Sequence, residues 1–252
     1  MPFTVLCVNW DIIMSPCICL YDRYINESQK RITNWSEIER ILDLNRHLIY
    51  DVDTYHKIGK IISYICDRVP RVYVGNFSDS VLCSIEDEMK LQSVPDNKLN
   101  IINIGHYHSI YEPNGPHSLR ALVDEKVTSR NWVGYLEMCK CLNEYVWIHD
   151  RNSSQFIPST SNEPILQKSS QVCIEDISLD YGFFDNVDVL YICTNFSRIP
   201  PKFDDLVINT LRIPCIKNFD HTIFYDSDYC TYLSGKIYSF FSNRFRRYLK
   251  SV

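Results

Sequence analysis

Two histidines, His106 and His108, follow directly after an apolar run in the stretch NIINIGHYHSIYEP, residues 100–113. The run ends at Gly105, so the two imidazoles stand at the exit of a predicted buried strand. Imidazole is a common metal ligand, and a His-x-His pair can coordinate one ion from a turn, where strand alternation lapses. Metal binding is therefore the first chemistry that this segment predicts.

A second polar segment, VNWDIIMSP, follows the first apolar run of the chain, TVLCV. It contributes Asn9 and Asp11. A carboxylate such as Asp11 or Asp79, together with the two histidines, would form a site for one metal ion. The alternative is structural, with both histidines hydrogen-bonding the backbone of their own loop.

Short apolar segments alternate with helical patterns along most of the chain. The predicted strands are apolar without alternation, which is typical of parallel strands covered on both faces. This order predicts an α/β fold with three layers, in which a mainly parallel sheet is flanked by helices. The predicted strands are 4–8, 71–75, 99–104, 144–150, 171–177 and 186–194, and the predicted helices are 34–49, 53–69, 78–89, 131–142 and 200–211.

Local features predict how some helices begin and which side they bury. Asp51 and Asp53 stand before the second helical pattern, where carboxylates cap backbone N–H groups and interact favourably with the helix dipole. In the fourth helical pattern the residues expected to face inward are Trp132, Val133, Leu136 and Cys139.

We predict a single domain over residues 1–252. A polar stretch rich in Pro and Ser, residues 151–170, predicts a loop excursion, and the tail at 235–250 predicts an amphipathic helix. In open α/β sheets ligands bind outside the carboxyl ends of the strands. The polar residues that follow the predicted strands are therefore expected to gather at one edge: Asn9, Asp11, Asn76, Ser78, Asp79, residues 105–109, residues 149–152, Thr194, Asn195 and Ser197.

Composition limits the classes of function. The formal net charge of −5 gives no support to nucleic acid or an acidic membrane as a partner. No apolar run approaches the roughly 18 residues of a membrane span, and the N-terminus lacks a leader pattern, so we expect a cytoplasmic protein. The chain has 7 glycines and neither a phosphate-binding loop nor a dinucleotide-binding motif.

The 11 cysteines are expected to be reduced rather than bridged. Two pairs have C-x-C spacing, Cys17 with Cys19 and Cys139 with Cys141. Structural zinc sites usually have C-x2-C pairs, so the spacing favours small buried hydrophobic residues over zinc ligands.

The chain resembles the arginase-like ureohydrolases. NIGHYHS follows a buried strand where those enzymes carry Asp-x-His-x-Asp, and VNWDIIMSP is similar to their Asp-x-Asp stretch, although it lies at the N-terminus here. The segments NWVGYL, YVWIHDRNSS and LYICTNFSRIPPKF resemble the peptide arginases, a distant branch associated with converting arginine to ornithine within ribosomally made peptides. The order of these scattered pieces carries the resemblance.

The resemblance implies which positions would hold metal. A guanidinium is hydrolysed by hydroxide bridging two manganese ions, whose charge several carboxylates and imidazoles must offset. The corresponding ligand positions are Gly105, Tyr107 and Ser109, none of which carries the expected ligand. The Asp-x-Asp pair corresponds to Asn9 and Asp11, so one carboxylate is retained.

Strand alternation directs His106 and His108 away from those positions. We therefore expect a degenerate, non-catalytic pseudoenzyme that binds a peptide or a partner protein, without a cofactor. An oligomer is compatible with this role. The residues expected to line the vestigial cleft are Asn9, Asp11, Gly105, Tyr107, Ser109, Asn131, Trp132 and His149.

The alternative is an active metal-dependent hydrolase of a guanidino or amide group, converting peptidyl arginine to ornithine with manganese. Its candidate metal ligands are His106, His108 and Asp11.

Overall fold

In the part of the chain that the computed structural model describes, seven strands form one sheet. The strands are β1 (Phe3–Asn9), β2 (Val72–Gly75), β3 (Leu99–Ile104), β4 (Leu142–His149), β5 (Ser169–Cys173), β6 (Val189–Cys193) and β7 (Thr222–Phe224). The helices are α1 (Val52–Cys66), α2 (Val81–Gln92), α3 (Trp132–Met138), α4 (Pro164–Gln167) and α5 (Asp204–Lys217). The structure describes residues 2–14, 51–75, 80–92, 98–111, 127–128, 130–151, 153, 157, 164–177, 182–194, 203–217 and 222–224.

The strand order is β5-β4-β3-β1-β6-β2-β7, and every neighbouring pair is parallel. All seven residues of the central strand β1 are buried, as its apolar sequence predicts for a strand covered on both faces. The sequence-based prediction of a three-layer α/β fold with a mainly parallel sheet is confirmed.

Two hydrophobic layers cover the sheet. One contains the buried residues of α1 and α5, and we call it the α1/α5 face. The other contains those of α2, α3 and α4, and we call it the α2/α3/α4 face. Helices in connections that move toward β5 in the strand order lie on the α2/α3/α4 face, and those in connections that move toward β7 lie on the α1/α5 face. This arrangement is the one required if all crossover connections have the same handedness.

Helix α1 begins as its sequence predicts. The Asp51 side chain accepts hydrogen bonds from the backbone N–H groups of Asp53 at 2.9 Å and Thr54 at 3.0 Å. The Thr54 hydroxyl also donates to the Asp51 carboxylate, at 2.9 Å. The apolar residues at helical spacing, Ile58, Ile61, Ile62 and Ile65, are all buried on the α1/α5 face.

Three local predictions differ from the structure. The strand predicted over 171–177 is β5 at Ser169–Cys173 followed by a 3₁₀ turn at Ile174–Asp176, and the second half of the predicted loop 151–170 contains α4 and the start of β5. The fully buried Ile165 anchors α4 in an otherwise polar stretch. Cys139 was expected to face inward and is exposed, because α3 ends at Met138.

Several predictions lie outside the described residues: the helix at 34–49, the tail helix at 235–250, and the polar positions Asn76, Ser78, Asp79, Asn152, Asn195 and Ser197. Among the residues that are described, no helix is long and apolar enough to cross a bilayer.

Replacing Asp51 by Ala is expected to lower the free energy of unfolding by about 1 kcal/mol, because two N–H groups at the start of α1 lose their acceptor. Urea denaturation with a common m-value measures the change. Asp51→Asn is the matched control and should retain most of the stability, since Asn also caps helices. Equal losses for the two variants would show that capping is not the role of Asp51.

Candidate functional site

The carboxyl ends of β1 and β3 lie side by side, and the chain leaves them toward opposite faces of the sheet. After β1 the 3₁₀ turn Trp10–Ile13 packs into the α1/α5 face. After β3, Ile110 and Tyr111 pack into the α2/α3/α4 face. Such a divergence between neighbouring strands opens a crevice, which is where open α/β sheets bind ligands. We call this region the β1/β3 edge.

The side chain of Asn9 spans the two strands at this edge. Its amide nitrogen donates to the side-chain oxygen of Asn103 at 2.8 Å and to the backbone oxygen of Ile104 at 3.1 Å. Asn9 is 5% exposed, so these bonds are made away from solvent. A Cβ atom added to Gly105 would lie 2.7 Å from this same amide nitrogen. Gly105 is therefore needed for the space that Asn9 occupies.

Two aromatic residues of β4 donate hydrogen bonds to the backbone of the loop after β3. The indole N–H of Trp147 donates to the backbone oxygen of Gly105 at 2.8 Å, and the hydroxyl of Tyr145 donates to the backbone oxygen of His108. Burial raises the pKa of Tyr145, so its hydroxyl remains a neutral donor. The side-chain nitrogen of Asn103 donates to the backbone oxygen of Tyr107 at 3.1 Å.

His106 is buried at the β1/β3 edge, with both ring nitrogens in hydrogen bonds. Nε2 lies 2.9 Å from the backbone oxygen of Asp11, and Nδ1 lies 2.6 Å from a carboxylate oxygen of Asp150. Ser153 donates its hydroxyl to the backbone oxygen of His106 at 3.0 Å. The imidazole thereby joins the segments that follow β1, β3 and β4.

The partners of His106 determine its protons. A backbone carbonyl only accepts, so Nε2 carries a proton. The contact of Nδ1 with the Asp150 carboxylate then requires a second proton between the two groups. They form either an imidazolium–carboxylate pair or a neutral imidazole with a protonated carboxyl group. With both nitrogens protonated or shared, His106 has no lone pair directed at a metal ion or a substrate.

His108 lies on the other side of the edge. Its Nδ1 accepts the backbone N–H of Ile110 at 3.0 Å. Its ring contacts Trp147 and Tyr111 edge-on, with centroid distances of 5.7 and 6.3 Å. The two histidines thus have different partners, in a segment where strand geometry has already ended at Ile104.

Ser109 marks the turn that leads toward α3. Its φ of 54° lies in the left-handed region, which non-glycine residues rarely adopt. Its backbone oxygen accepts the N–H of Val133 at 3.0 Å, in the first turn of α3. Asn131 accepts the backbone N–H of Thr128 at 2.8 Å, and Trp132 is fully buried. These residues position α3.

Three side chains of the edge remain partly accessible. Tyr107 is half-buried, and the Arg130 guanidinium lies 5.5 Å from the centre of its ring. His149 is also half-buried, stacks on Trp147 at 4.7 Å, and has its Nδ1 2.8 Å from the backbone oxygen of Asp150. The tyrosine ring and the guanidinium are groups suited to recognition of a ligand.

The structure thus brings together Asn9, Asp11, Gly105 and His106, and places Tyr107 and His149 at the rim. Ser109, Asn131 and Trp132 serve the connection to α3. Within the described part of the chain, no group of three or more His, Cys, Asp and Glu side chains is arranged to hold a metal ion.

Four residues of the edge were not among the predicted site residues: Asn103, Tyr145, Trp147 and Asp150. Asn103 could have been found, since it is a polar residue within the apolar part of β3 and must have a partner when buried. Asp150 directly follows β4 and belonged to the polar residues expected at the edge. The two aromatic residues carry no local pattern that separates them from core residues.

Gly105→Ala is expected to lower the free energy of unfolding by about 1–3 kcal/mol, because the new methyl group overlaps the Asn9 amide. In a double-mutant cycle, adding Asn9→Ala should cost less in the Gly105→Ala background than in the wild type. Gly59→Ala in α1, where nothing lies within 4 Å of the added Cβ, is the control and should be stabilising. Additive losses in the cycle would contradict the packing argument.

His106→Ala or Asp150→Ala should each lower the free energy of unfolding by about 3–5 kcal/mol, since each leaves a buried charged partner uncompensated. The double variant should lose clearly less than the sum. Arg151→Ala is the control, because its pair with Asp176 is exposed and should contribute below about 1 kcal/mol. Chemical denaturation gives the stabilities, and a slowly exchanging Nε2 proton of His106 in NMR spectra tests the protonation.

Comparison of the chain with protein-family models, with curated proteins and with solved structures finds no match in any of the three. The likeness to arginase-like enzymes therefore rests on the sequence segments alone.

Proposed function

We propose that this protein is a non-catalytic relative of the peptide arginases and that its β1/β3 edge binds a peptide, either free or as part of a partner protein. One observation carries the proposal: both ring nitrogens of His106 are used to hold the edge together, on Asp11 and Asp150. A residue that would be a metal ligand in the alternative function thus has an architectural role.

The charges at the edge also support this reading. Two divalent cations need several anionic ligands close by. Gly105 has no side chain, its space adjoins the neutral amide of Asn9, and Tyr107 and Ser109 carry hydroxyls. Of the two carboxylates at the edge, that of Asp150 is compensated by His106.

The accessible groups favour peptide binding over other ligands. Tyr107 and His149 offer flat faces that lose little conformational entropy on binding. Arg130, above Tyr107, offers several N–H donors to carbonyl or carboxylate oxygens. Because the buried bonds of Asn9 and His106 hold the segments that carry Tyr107 and His149, these two rings are preorganised for a ligand.

The rival function, metal-dependent hydrolysis of peptidyl arginine, requires His106 to leave both of its partners. His108 would in addition have to turn its Nδ1 from the N–H of Ile110 or coordinate through Nε2 beside Trp147. No observation at the edge favours these rearrangements.

A metal and turnover assay separates the two functions. Purified protein is equilibrated with manganese and then desalted. Inductively coupled plasma mass spectrometry should then find less than one equivalent of manganese per chain. The protein should also leave arginine-containing peptides unconverted to ornithine. Stoichiometric manganese that is lost in His108→Ala or Asp11→Asn, together with ornithine formation, would overturn the proposal.

A photo-crosslinking assay tests binding directly. A benzophenone amino acid replaces Tyr107 at the β1/β3 edge or, as the matched control, Tyr135, which is 41% exposed on α3. With a biotinylated peptide library in EDTA, labelling should be stronger at position 107 and should fall when unlabelled peptide competes. Equal labelling at both positions, or no competition, would count against a peptide-binding edge.

A further inference from the structure

A pair of thiols lies at the amino ends of the strands, opposite the β1/β3 edge, in the turn that joins the end of α3 to the start of β4. Cys139 follows the last residue of α3 and is exposed, and Cys141 is partly buried against the core of the α2/α3/α4 face. Both are free thiols. Their position at the amino end of β4 separates them from the β1/β3 edge, at the carboxyl ends of the strands.

The backbone holds the two cysteines in a defined turn. The N–H of Lys140 donates to the oxygen of Glu137 at 2.8 Å, and the N–H of Cys141 donates to the oxygen of Leu136 at 3.0 Å. This pair of bonds is the Schellman motif, which requires a left-handed residue between the two cysteines. Lys140 takes that position with a φ of 58°, where glycine is the usual residue.

The turn brings the cysteines to a distance that a disulfide can span. A left-handed residue is the mirror image of a helical one, so the Cα atoms on either side of it are about 5.4 Å apart. Disulfides join Cα atoms that are roughly 4.4–6.8 Å apart. The Cys141 thiol donates to the backbone oxygen of Cys139, with a sulfur–oxygen distance of 3.4 Å.

The surroundings give the two thiols different roles. Cys139 is accessible to a dissolved reactant. Burial raises the pKa of Cys141, and so does the neighbouring Cys139, whereas Lys98 lowers it. A reactive first thiol that is exposed, next to a partly covered second thiol, is the arrangement of an attacking and a resolving cysteine.

From this geometry we propose that Cys139 and Cys141 form a reversible disulfide by exchange with a small disulfide such as oxidised glutathione. The thiolate of Cys139 attacks one sulfur of glutathione disulfide, forms a mixed disulfide and releases one glutathione thiolate, which takes up a proton. The thiolate of Cys141 then attacks the sulfur of Cys139 and releases the second glutathione. Two protein thiols are oxidised, and one glutathione disulfide is reduced to two thiols.

The disulfide is expected to be reversible rather than structural. The loop that it closes contains a single residue, so it removes little entropy from the unfolded chain compared with a long loop. The fold is already complete with both thiols reduced, and weakly stabilised exposed disulfides are the ones that exchange readily. The pair would therefore respond to the redox state of its surroundings.

The test uses the whole protein in buffers with varied ratios of reduced to oxidised glutathione. The reaction is quenched with acid, free thiols are alkylated, and the protein is cut after glutamate. This yields MCKCLNE, residues 138–144, whose only cysteines are the two in question, whereas trypsin would cut between them at Lys140. In excess oxidised glutathione the peptide should escape alkylation and be two hydrogens lighter, and excess reduced glutathione should reverse this.

Two variants and one internal control complete the experiment. Cys141→Ser should accumulate glutathione on Cys139, and Cys139→Ser should abolish the intramolecular disulfide. Cys83, an exposed single thiol on α2, should acquire glutathione without an intramolecular bond. The proposal is overturned if residues 138–144 stay doubly alkylated, or carry glutathione only, under conditions that fully modify Cys83.

Discussion

The bonds of Asn9 across the β1–β3 pair determine the shape of the carboxyl edge. Strands buried on both faces leave their last polar groups no access to water, so those groups must find partners within the protein. Asn9 supplies them by donating to Asn103 and to the oxygen of Ile104. The same side chain leaves no room for a Cβ atom at position 105, directly after the last residue of β3. The residue that ends β1 therefore restricts position 105 to glycine.

The two histidines that follow Gly105 are separated by this geometry. His106 connects the ends of three strands through Asp11 and Asp150, while His108 packs beside Trp147 and accepts a backbone N–H of its own loop. Ser109 completes the turn in a left-handed conformation and passes the chain to α3. A segment that resembles a metal-binding motif is therefore built here as a hydrogen-bonded support. This is the physical ground on which the proposal of a binding edge rests.

The carboxyl and amino ends of the parallel strands differ in the side chains that they expose. At the carboxyl edge the reactive side chains are buried and bonded to one another, and the accessible groups are aromatic rings and a guanidinium. At the amino ends, the turn between α3 and β4 exposes the thiol of Cys139 and holds Cys141 two residues away. A parallel sheet keeps such groups far apart, because every strand must run the same way and every crossover returns to the starting edge. The β1/β3 edge and the thiol pair therefore lie at opposite ends of the strands.

The sequence by itself determined the layers of the fold and several boundaries within it. Apolar strands without alternation required cover on both faces, β3 begins and ends at the predicted residues, and Asp51 caps α1 as its position indicates. It also placed Asn9, Asp11 and His106 near one edge, because parallel strands end on the same side.

Only the tertiary structure decided what those residues do. Whether the space beside Gly105 is open or filled depends on Asn9, near the start of the chain. The carboxylate partner of His106 is Asp150, which follows another strand. The inward position expected for Cys139 was wrong because a Schellman turn with Lys140 in place of glycine ended the helix early. Contacts between residues far apart in sequence follow from how strands are ordered and paired, and a pattern within one segment does not contain that information.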